Sequence, residues 1–372
     1  MKEFSIYCRD KIIEVLYKLV IKPILFKQDP EDVHDRVCRF GIFLGKRQST
    51  TYLIRTLFSY KNPILKQNIL GIDFSNPIGM GGGFDKNAEL TDIIPEVGFG
   101  FMEVGSITAK ACEGNPKPRL WRLPKLQSLC VWYGLKNDGA EVIRKRLLKK
   151  QFSIPLGINI AKTNSKETVN TQAAIEDYLE TYTQFSDIGD YDVINVSCPN
   201  TFGGEPFTDP LKLEQLLKAL SAIPKTKPVF IKLSPELPPE IIDRILEIAL
   251  LYYIDGFVCT NLIKKTEKNR LNENIPDRGG LSGKAVEQKS TALISYIYKK
   301  TKDSFVIIGL GGVFNAEDAY KKIKAGASLV QLITGMIYEG PQRISQINRG
   351  LAKLLKQDGL DSISQAIGID HR

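Results

Sequence analysis

Residues 191 to 200 read Tyr-Asp-Val-Ile-Asn-Val-Ser-Cys-Pro-Asn, a β-branched apolar run that ends in polar and nucleophilic side chains. A buried strand written this way delivers Asn195, Ser197, Cys198 and Asn200 to its carboxyl end. Asn195 brings a donor and an acceptor together, Cys198 offers a thiol as base or nucleophile, and Pro199 stiffens the turn and removes an N–H. A cysteine in this position is either a small buried hydrophobe or a reactive group. The loop Thr201-Phe202-Gly203-Gly204 beyond it lets the side chain face a ligand.

Lys232 lies inside a second apolar run, Ile231-Lys232-Leu233. Such a lysine either snorkels to a rim or is buried against an anion, because an unpaired buried ammonium is costly. Glycines cluster at Gly81-Gly82-Gly83 and Gly309-Leu310-Gly311-Gly312, and Thr334-Gly335 follows another apolar run. Turns of this kind let the backbone approach a flat or phosphorylated ligand.

The elements that must hold these groups recur regularly from about residue 63. Strand-like runs occur at Pro77 to Gly81, Phe101 to Gly105, Pro155 to Ile160, Asp192 to Val196, Pro228 to Leu233, Gly256 to Cys259, Phe305 to Gly309 and Ser328 to Ile333. Helical stretches lie between and after them at 87–97, 138–150, 170–187, 210–222, 238–253, 287–300, 315–325 and 340–356. Eight strands alternating with eight helices predict an α/β fold, a closed (β/α)8 TIM barrel with its site at the carboxyl ends of the strands. A doubly wound open sheet would carry G-x-G-x-x-G after its first strand, and Gly79 to Gly83 does not match.

Taken strand by strand, the mouth of this barrel gathers Gly82, Gly83 and Lys86, then Ser106, Asn159, the Asn195 to Asn200 cluster, Lys232, and Thr260 with Asn261. The turns after strands seven and eight form a phosphate cradle that also supplies the negative partner Lys232 requires. A glycine-lined bed, this lysine and the cradle together describe a flavin mononucleotide, FMN, with Lys232 stabilising the anion that develops at N1 of the reduced ring.

Composition narrows the rest. The 372 residues are 43% hydrophobic and 25% charged, as in an ordinary globular chain. Six cysteines without C-x-x-C spacing indicate neither a disulfide framework nor a zinc site, and two histidines argue against a metal centre. The net charge of +9 is dispersed, so no nucleic-acid partner is expected. Residues 4–26 form a basic amphipathic helix, too broken by charge to span a bilayer, that lies on an anionic membrane surface or packs on the neighbouring domain. Asp29-Pro30 starts a second helix reaching Gly45, and 46–61 reads as a connection. The division is a small N-terminal helical hairpin over 1–45 and a catalytic barrel over 46–372.

Several segments closely resemble the dihydroorotate dehydrogenase family. They are Asn76 to Gly79 with Gly83 to Lys86, Glu103 to Thr108, Gly114 to Leu120, Asn195 to Thr201, Gly279 to Gly283, Gly311 to Val313, and Ala327 to Gln331. Asp29-Pro30-Glu31 and His34 are similar to its quinone-linked, membrane-associated class. The resemblance implies that Gly82, Gly83, Ser106, Asn159, Asn195, Lys232, Thr260, Gly283, Gly312 and Thr334 contact FMN. It implies that Lys86, Tyr133, Gly134, Leu135, Asn195, Asn200 and Asn261 hold the pyrimidine and that Cys198 is the base. His34 and Arg122 would face the quinone, residues 1–45 would form the membrane and quinone-tunnel domain, and the protein would sit peripherally on the cytoplasmic side of the cell membrane.

Departures from the pattern accompany the resemblance. Cys198 stands where the quinone-linked class has serine, Val131 where the family has an asparagine that bonds the pyrimidine, Leu262 where it has threonine, and Ile333 where it has tyrosine. Removing one hydrogen bond to a polar ligand costs about 1–3 kcal/mol unless another group substitutes, for which Lys136 and Asn137 are candidates. Two classes follow. One is an oxidoreductase of pyrimidine (UMP) biosynthesis: Cys198 takes the C5 proton of dihydroorotate, hydride passes from C6 to flavin N5, orotate forms, and electrons leave to a membrane quinone. The other is a flavin-binding relative with a different, less polar substrate or no activity.

Overall fold

In the computed structural model, which describes residues 2–264 and 275–372, the apolar runs close into an eight-stranded parallel barrel. Its strands, first to eighth, are Ile78–Met80, Phe101–Ile107, Leu156–Ile160, Tyr191–Asn195, Val229–Leu233, Gly256–Cys259, Val306–Leu310 and Leu329–Leu332. The eighth pairs with the first to complete the ring. The lower barrel is filled by Phe74, Phe101, Tyr191, Val193, Phe230, Val258, Ile308 and Leu329. An antiparallel hairpin, Gln67–Ile69 with Ile72–Phe74, seals this end and sets Phe74 edge-on to Phe101, ring centroids 5.5 Å apart. With the floor apolar and closed, polar groups that must meet a ligand are confined to the opposite mouth.

Seven of the expected outer helices form: Ala140–Leu147, Thr171–Gln184, Pro210–Leu220, Pro239–Leu251, Glu287–Thr301, Ala316–Lys324 and Arg343–Gln357. The helix expected over 87–97 does not. Asp85 accepts instead from the backbone N–H groups of Glu89 and Leu90, at 2.9 and 2.8 Å, and Ala88 adopts φ 56, which no right-handed helix accommodates. Only a short 3-10 turn, Ile94–Val97, remains. The segment expected as a connection contains the helix Gln48–Phe58, which covers this turn through Arg55 Nη2, 2.6 Å from Glu96 Oε1.

A three-stranded antiparallel sheet, Leu120–Leu123, Ser128–Val131 and Gly280–Gly283, was not foreseen. Its strands are four residues each, too short to display an alternating pattern.

At the amino end, Lys2–Leu16 and Lys22–Phe26 flank a π-helical turn, Tyr17–Ile21. Asp29 caps the next helix, Pro30–Gly45, by accepting from Glu31 and Asp32 N. The segment Lys2–Phe26 is inverted relative to an ordinary surface helix. Its inward side is polar: Ser345 Oγ donates to Asp10 Oδ2 at 2.9 Å, Arg343 Nη2 to Glu14 Oε1 at 3.2 Å, and Tyr17 Oη to Ile337 O at 2.6 Å. Phe4, Ile12, Leu19 and Ile24, with Phe40 and Phe43 of the next helix, are each more than half exposed. No helix among the described residues is long and apolar enough to cross a membrane.

Candidate active site

The mouth of the barrel and the three-stranded sheet enclose a chamber with about 1250 Å³ of empty space, counted out to its solvent opening. Cys198 lines it, as do Gly82, Gly83, Ser106, Asn195, Lys232, Thr260, Gly283, Gly312 and Thr334 of the expected cofactor set, and Lys86, Tyr133, Gly134, Leu135, Asn200 and Asn261 of the expected substrate set. Asn159 does not. It is wholly buried beneath the floor, with Nδ2 donating to Glu103 Oε1 at 2.6 Å.

Glu103 is the group that strand-end reading missed. Its carboxylate, buried on the second strand, also accepts from Gln331 Nε2 at 2.8 Å and stands 3.8 Å from Lys232 Nζ. The expectation that the strand-seven and strand-eight turns supply the anion for Lys232 is therefore corrected: the protein supplies it, because a buried ammonium needs a counter-charge within the fold itself. The detectable signal was an acid inside an otherwise apolar strand.

The donor set fits a flavin. Lys232 is buried yet makes no hydrogen bond to protein among the described residues, so its N–H groups are free for an acceptor-rich ring. A Cβ at Gly82 would stand 2.3 Å from Glu103 Oε1, so only glycine leaves that carboxylate in place under a flat ligand. At the far end Gly312 has φ 73, a Cβ there would lie 2.3 Å from Glu287 Cβ, and Ser282 Oγ meets Thr334 Oγ1 at 2.9 Å. Backbone and hydroxyl donors thus gather where a phosphate would sit.

On the other side, Asn195 Nδ2 donates to Ser106 Oγ at 2.9 Å, while Asn261 Nδ2 reaches Asn195 Oδ1 at 3.3 Å and Ser197 Oγ at 3.2 Å. Burial pushes the Cys198 thiol up to about 11 against the pull of the Asn200 backbone; Glu205 adds to the rise, and Lys232 and Lys162 oppose it. Cys198 is consequently a thiol, not a thiolate, at neutral pH.

The departures have separate fates. Val131, Leu262 and Ile333 all line the chamber, and Val131 O accepts from Asn200 Nδ2 at 3.0 Å. Asn137 is occupied elsewhere, donating to Thr108 Oγ1 and Leu135 O at 2.8 Å each, so it is no substitute for the missing amide. Lys136 does reach the chamber, its ammonium 3.6 Å from Glu31 Oε1.

His34 and Arg122 are not brought together at this chamber. His34 lines it, edge-on to Phe84 at 5.0 Å. Arg122 is not among the lining residues; it donates to Gln28 O at 2.7 Å and covers the Phe26 ring at 4.7 Å.

Comparison with known proteins adds a relationship over nearly the whole chain. The profile of the family described as dihydroorotate dehydrogenase matches residues 64–355. The chain belongs to the dihydroorotate dehydrogenase family. It is 39% identical over 376 residues to dihydroorotate dehydrogenase (quinone) of Nostoc sp. strain PCC 7120, covering 96% of this chain and 99% of that protein. The protein of the same name from Gloeobacter violaceus is 38% identical over 354 residues, covering 95% and 98%. The crystal structure of the Eimeria tenella enzyme in complex with ferulenol superposes with a TM-score of 0.79 at 33% identity, covering 92% of this chain and 96% of that one. Dihydroorotate dehydrogenases are flavin-dependent oxidoreductases, in keeping with the donor set of the chamber.

Proposed function

We propose that this chain oxidises (S)-dihydroorotate to orotate with bound FMN and passes the electrons to a membrane quinone, a step of pyrimidine (UMP) biosynthesis. The observation that carries the reading is one chamber lined by a thiol, Cys198, a cation, Lys86, and an amide cluster, Asn195, Asn200 and Asn261, opposite the Lys232–Glu103 floor. Gly82, Gly83, Ser106, Asn195, Lys232, Thr260, Gly283, Gly312 and Thr334 would hold the cofactor, with Asn159 acting from beneath through Glu103. A bound flavin supplies the acceptor for the hydride that leaves C6.

The side chains account for the rest of the chemistry. The thiolate form of Cys198, a minor fraction at neutral pH, takes the C5 proton as the C5–C6 double bond forms. Lys86, Asn195, Asn200 and Asn261 hold the pyrimidine, with Tyr133, Gly134 and Leu135 closing over it. The polar lining that remains beside Val131 and Leu262 favours this substrate over a less polar one. Residues 1–45 serve as the quinone entrance, with His34 and Arg122 along it, and their exposed apolar faces hold the protein peripherally on the cytoplasmic side of the cell membrane.

Anaerobic mixing of the purified yellow protein with dihydroorotate tests the reading. Bleaching of the flavin with formation of orotate is expected. A flavin that stays oxidised would assign the chain to the inactive or differently specific alternative.

A further inference from the structure

Two loops face each other across the substrate end of the chamber. One continues from Val131 through Lys136; the other carries Cys198 and runs to Glu205. No backbone hydrogen bond joins them among the described residues. Asparagine side chains set their spacing. Asn200 Nδ2 donates to Val131 O at 3.0 Å, and Asn115 Nδ2 donates to both Trp132 O at 3.1 Å and Asn200 O at 3.0 Å.

The third bridge, Asn164, belongs to neither loop. It follows the third strand, donates through Nδ2 to Gly134 O at 3.0 Å, and accepts at Oδ1 from Phe202 N at 2.8 Å. A carboxamide alone among side chains of this length joins a peptide carbonyl to a peptide N–H in this way, one edge donating and the other accepting. Its base is anchored, since Asn164 N donates to Cys112 Sγ at 3.3 Å and Asp177 Oδ1 accepts from Thr163 N at 2.7 Å. Lys162 reaches the same residue of the Cys198 loop from the other side, donating to Phe202 O at 2.9 Å.

We propose that Asn164 is a positioning residue that fixes the separation between the substrate-facing loop and the Cys198 loop, so that the thiol stands at reacting distance from the substrate. The role rests on Cys198 being the base, and its structural part is measurable without that assumption. Asn164 touches no reacting atom. It acts through Gly134, which lines the chamber, and through Phe202, four residues beyond Cys198 on its loop.

The test uses the flavin-loaded protein and two variants, Asn164→Leu, which loses both bonds, and Asn164→Asp, which keeps the acceptor for Phe202 N but sets an anion against Gly134 O. Two quantities are read: the rate of flavin reduction by dihydroorotate, and the rate at which iodoacetamide labels Cys198, resolved by peptide mass spectrometry. Asn164→Leu is expected to slow reduction by about 10- to 100-fold, as small misplacements of a reacting group do. It should also raise labelling of Cys198 several-fold at unchanged flavin content, with Asn164→Asp affected in the same direction. Unchanged reduction, or slowed reduction with unchanged labelling, would overturn the proposal. If Asn164→Leu yields no folded protein, Asn164→Asp decides between the same outcomes. If Cys198→Ala leaves flavin reduction intact, the base assignment fails by itself, while the labelling comparison still reports whether Asn164 sets the loop.

Discussion

The ammonium of Lys86 donates to Nε2 of His34 across 3.0 Å, so a side chain assigned to the pyrimidine and one assigned to the quinone share a hydrogen bond. Burial, reinforced by the charges of Lys86 and Lys136, holds the His34 imidazole well below its usual pKa and keeps it a neutral acceptor. Burial likewise lowers Lys86 to about 8; Cys38, Asp35 and Glu31 pull it upward, while Lys136 lowers it further. The Lys86 ammonium also lies 4.2 Å from the centre of the Tyr133 ring. The helix Pro30–Gly45 is therefore part of the chamber wall, and deleting residues 1–45 would disturb the substrate side along with any quinone entrance.

A pH profile follows from two groups of the free enzyme. Lys86 must be charged to hold an anionic substrate and Cys198 must be deprotonated to accept a proton. The thiolate fraction rises about tenfold per pH unit below about 11, and the Lys86 ammonium fraction falls about tenfold per unit above about 8. Their product climbs with unit slope to about pH 8 and then levels. The second-order rate of flavin reduction by dihydroorotate should follow that shape. Cys198→Ala should slow reduction on the order of 10²–10⁴-fold and remove the climb, whereas Lys86→Met should let the climb continue past about 8 at a lower overall rate.

The barrel was legible because each strand is a short apolar run bounded by turn residues, and parallel strands buried on both faces keep that signature regardless of partners. The chamber was largely legible for the same reason: a residue at a strand's carboxyl end faces the mouth, as Cys198, Asn195 and Thr260 do. What escaped were relationships between elements. Glu103 and Lys232 are far apart in sequence and pair across the barrel, and the covering sheet joins Ser128–Val131 to Gly280–Gly283. The helix expected over 87–97 failed because the Asp85 carboxylate captured N–H groups that the pattern of apolar residues does not register.

Glu31 ties the amino-terminal helices to the barrel. Arg119 Nη2 lies 2.8 Å from Glu31 Oε1 and Nε 3.0 Å from Oε2, and both side chains are buried. Glu31→Gln leaves Arg119, with Lys117 and Lys136 each 3.6 Å away, without their counter-charge. Breaking one partner of a buried pair costs about 3–5 kcal/mol, a loss that denaturant unfolding would record. Adding Arg119→Met should recover little of it, because Arg119 also donates to Glu113 O and Asn115 O, which would then lose their donor.

The cradle at the seventh strand is testable with a single methyl group. Gly312 combines φ 73 with a Cβ position 2.3 Å from Glu287 Cβ, so Gly312→Ala must shift the turn that would receive the phosphate. Backbone strain there is worth about 1–2 kcal/mol. The variant is expected to fold with a lowered melting temperature and to purify with much less flavin, read from visible absorbance per mole of protein. Full flavin content would remove the seventh-strand turn from the cofactor site.

The inverted segment Lys2–Phe26, with the helix Pro30–Gly45 beside it, makes the sharpest case for a membrane surface, because polar groups of that segment are spent on the barrel while apolar side chains of both are left open. Leu19 is 72% exposed and Phe40 61%, among basic residues that include Lys22, Lys27, Arg36 and Arg39. Fully burying one such side chain is worth about 1.5–3 kcal/mol, so Leu19→Glu with Phe40→Glu should weaken binding to anionic vesicles by at least about tenfold. Binding of the parent protein should itself weaken as salt screens the basic residues. Neither side chain lines the chamber, so flavin content and reduction by dihydroorotate should be unchanged, as should turnover with a water-soluble acceptor. Turnover with a hydrophobic quinone delivered in vesicles should fall. Vesicle binding equal to that of the parent protein would exclude this face as the membrane contact and leave the hairpin as a structural cover over the barrel mouth.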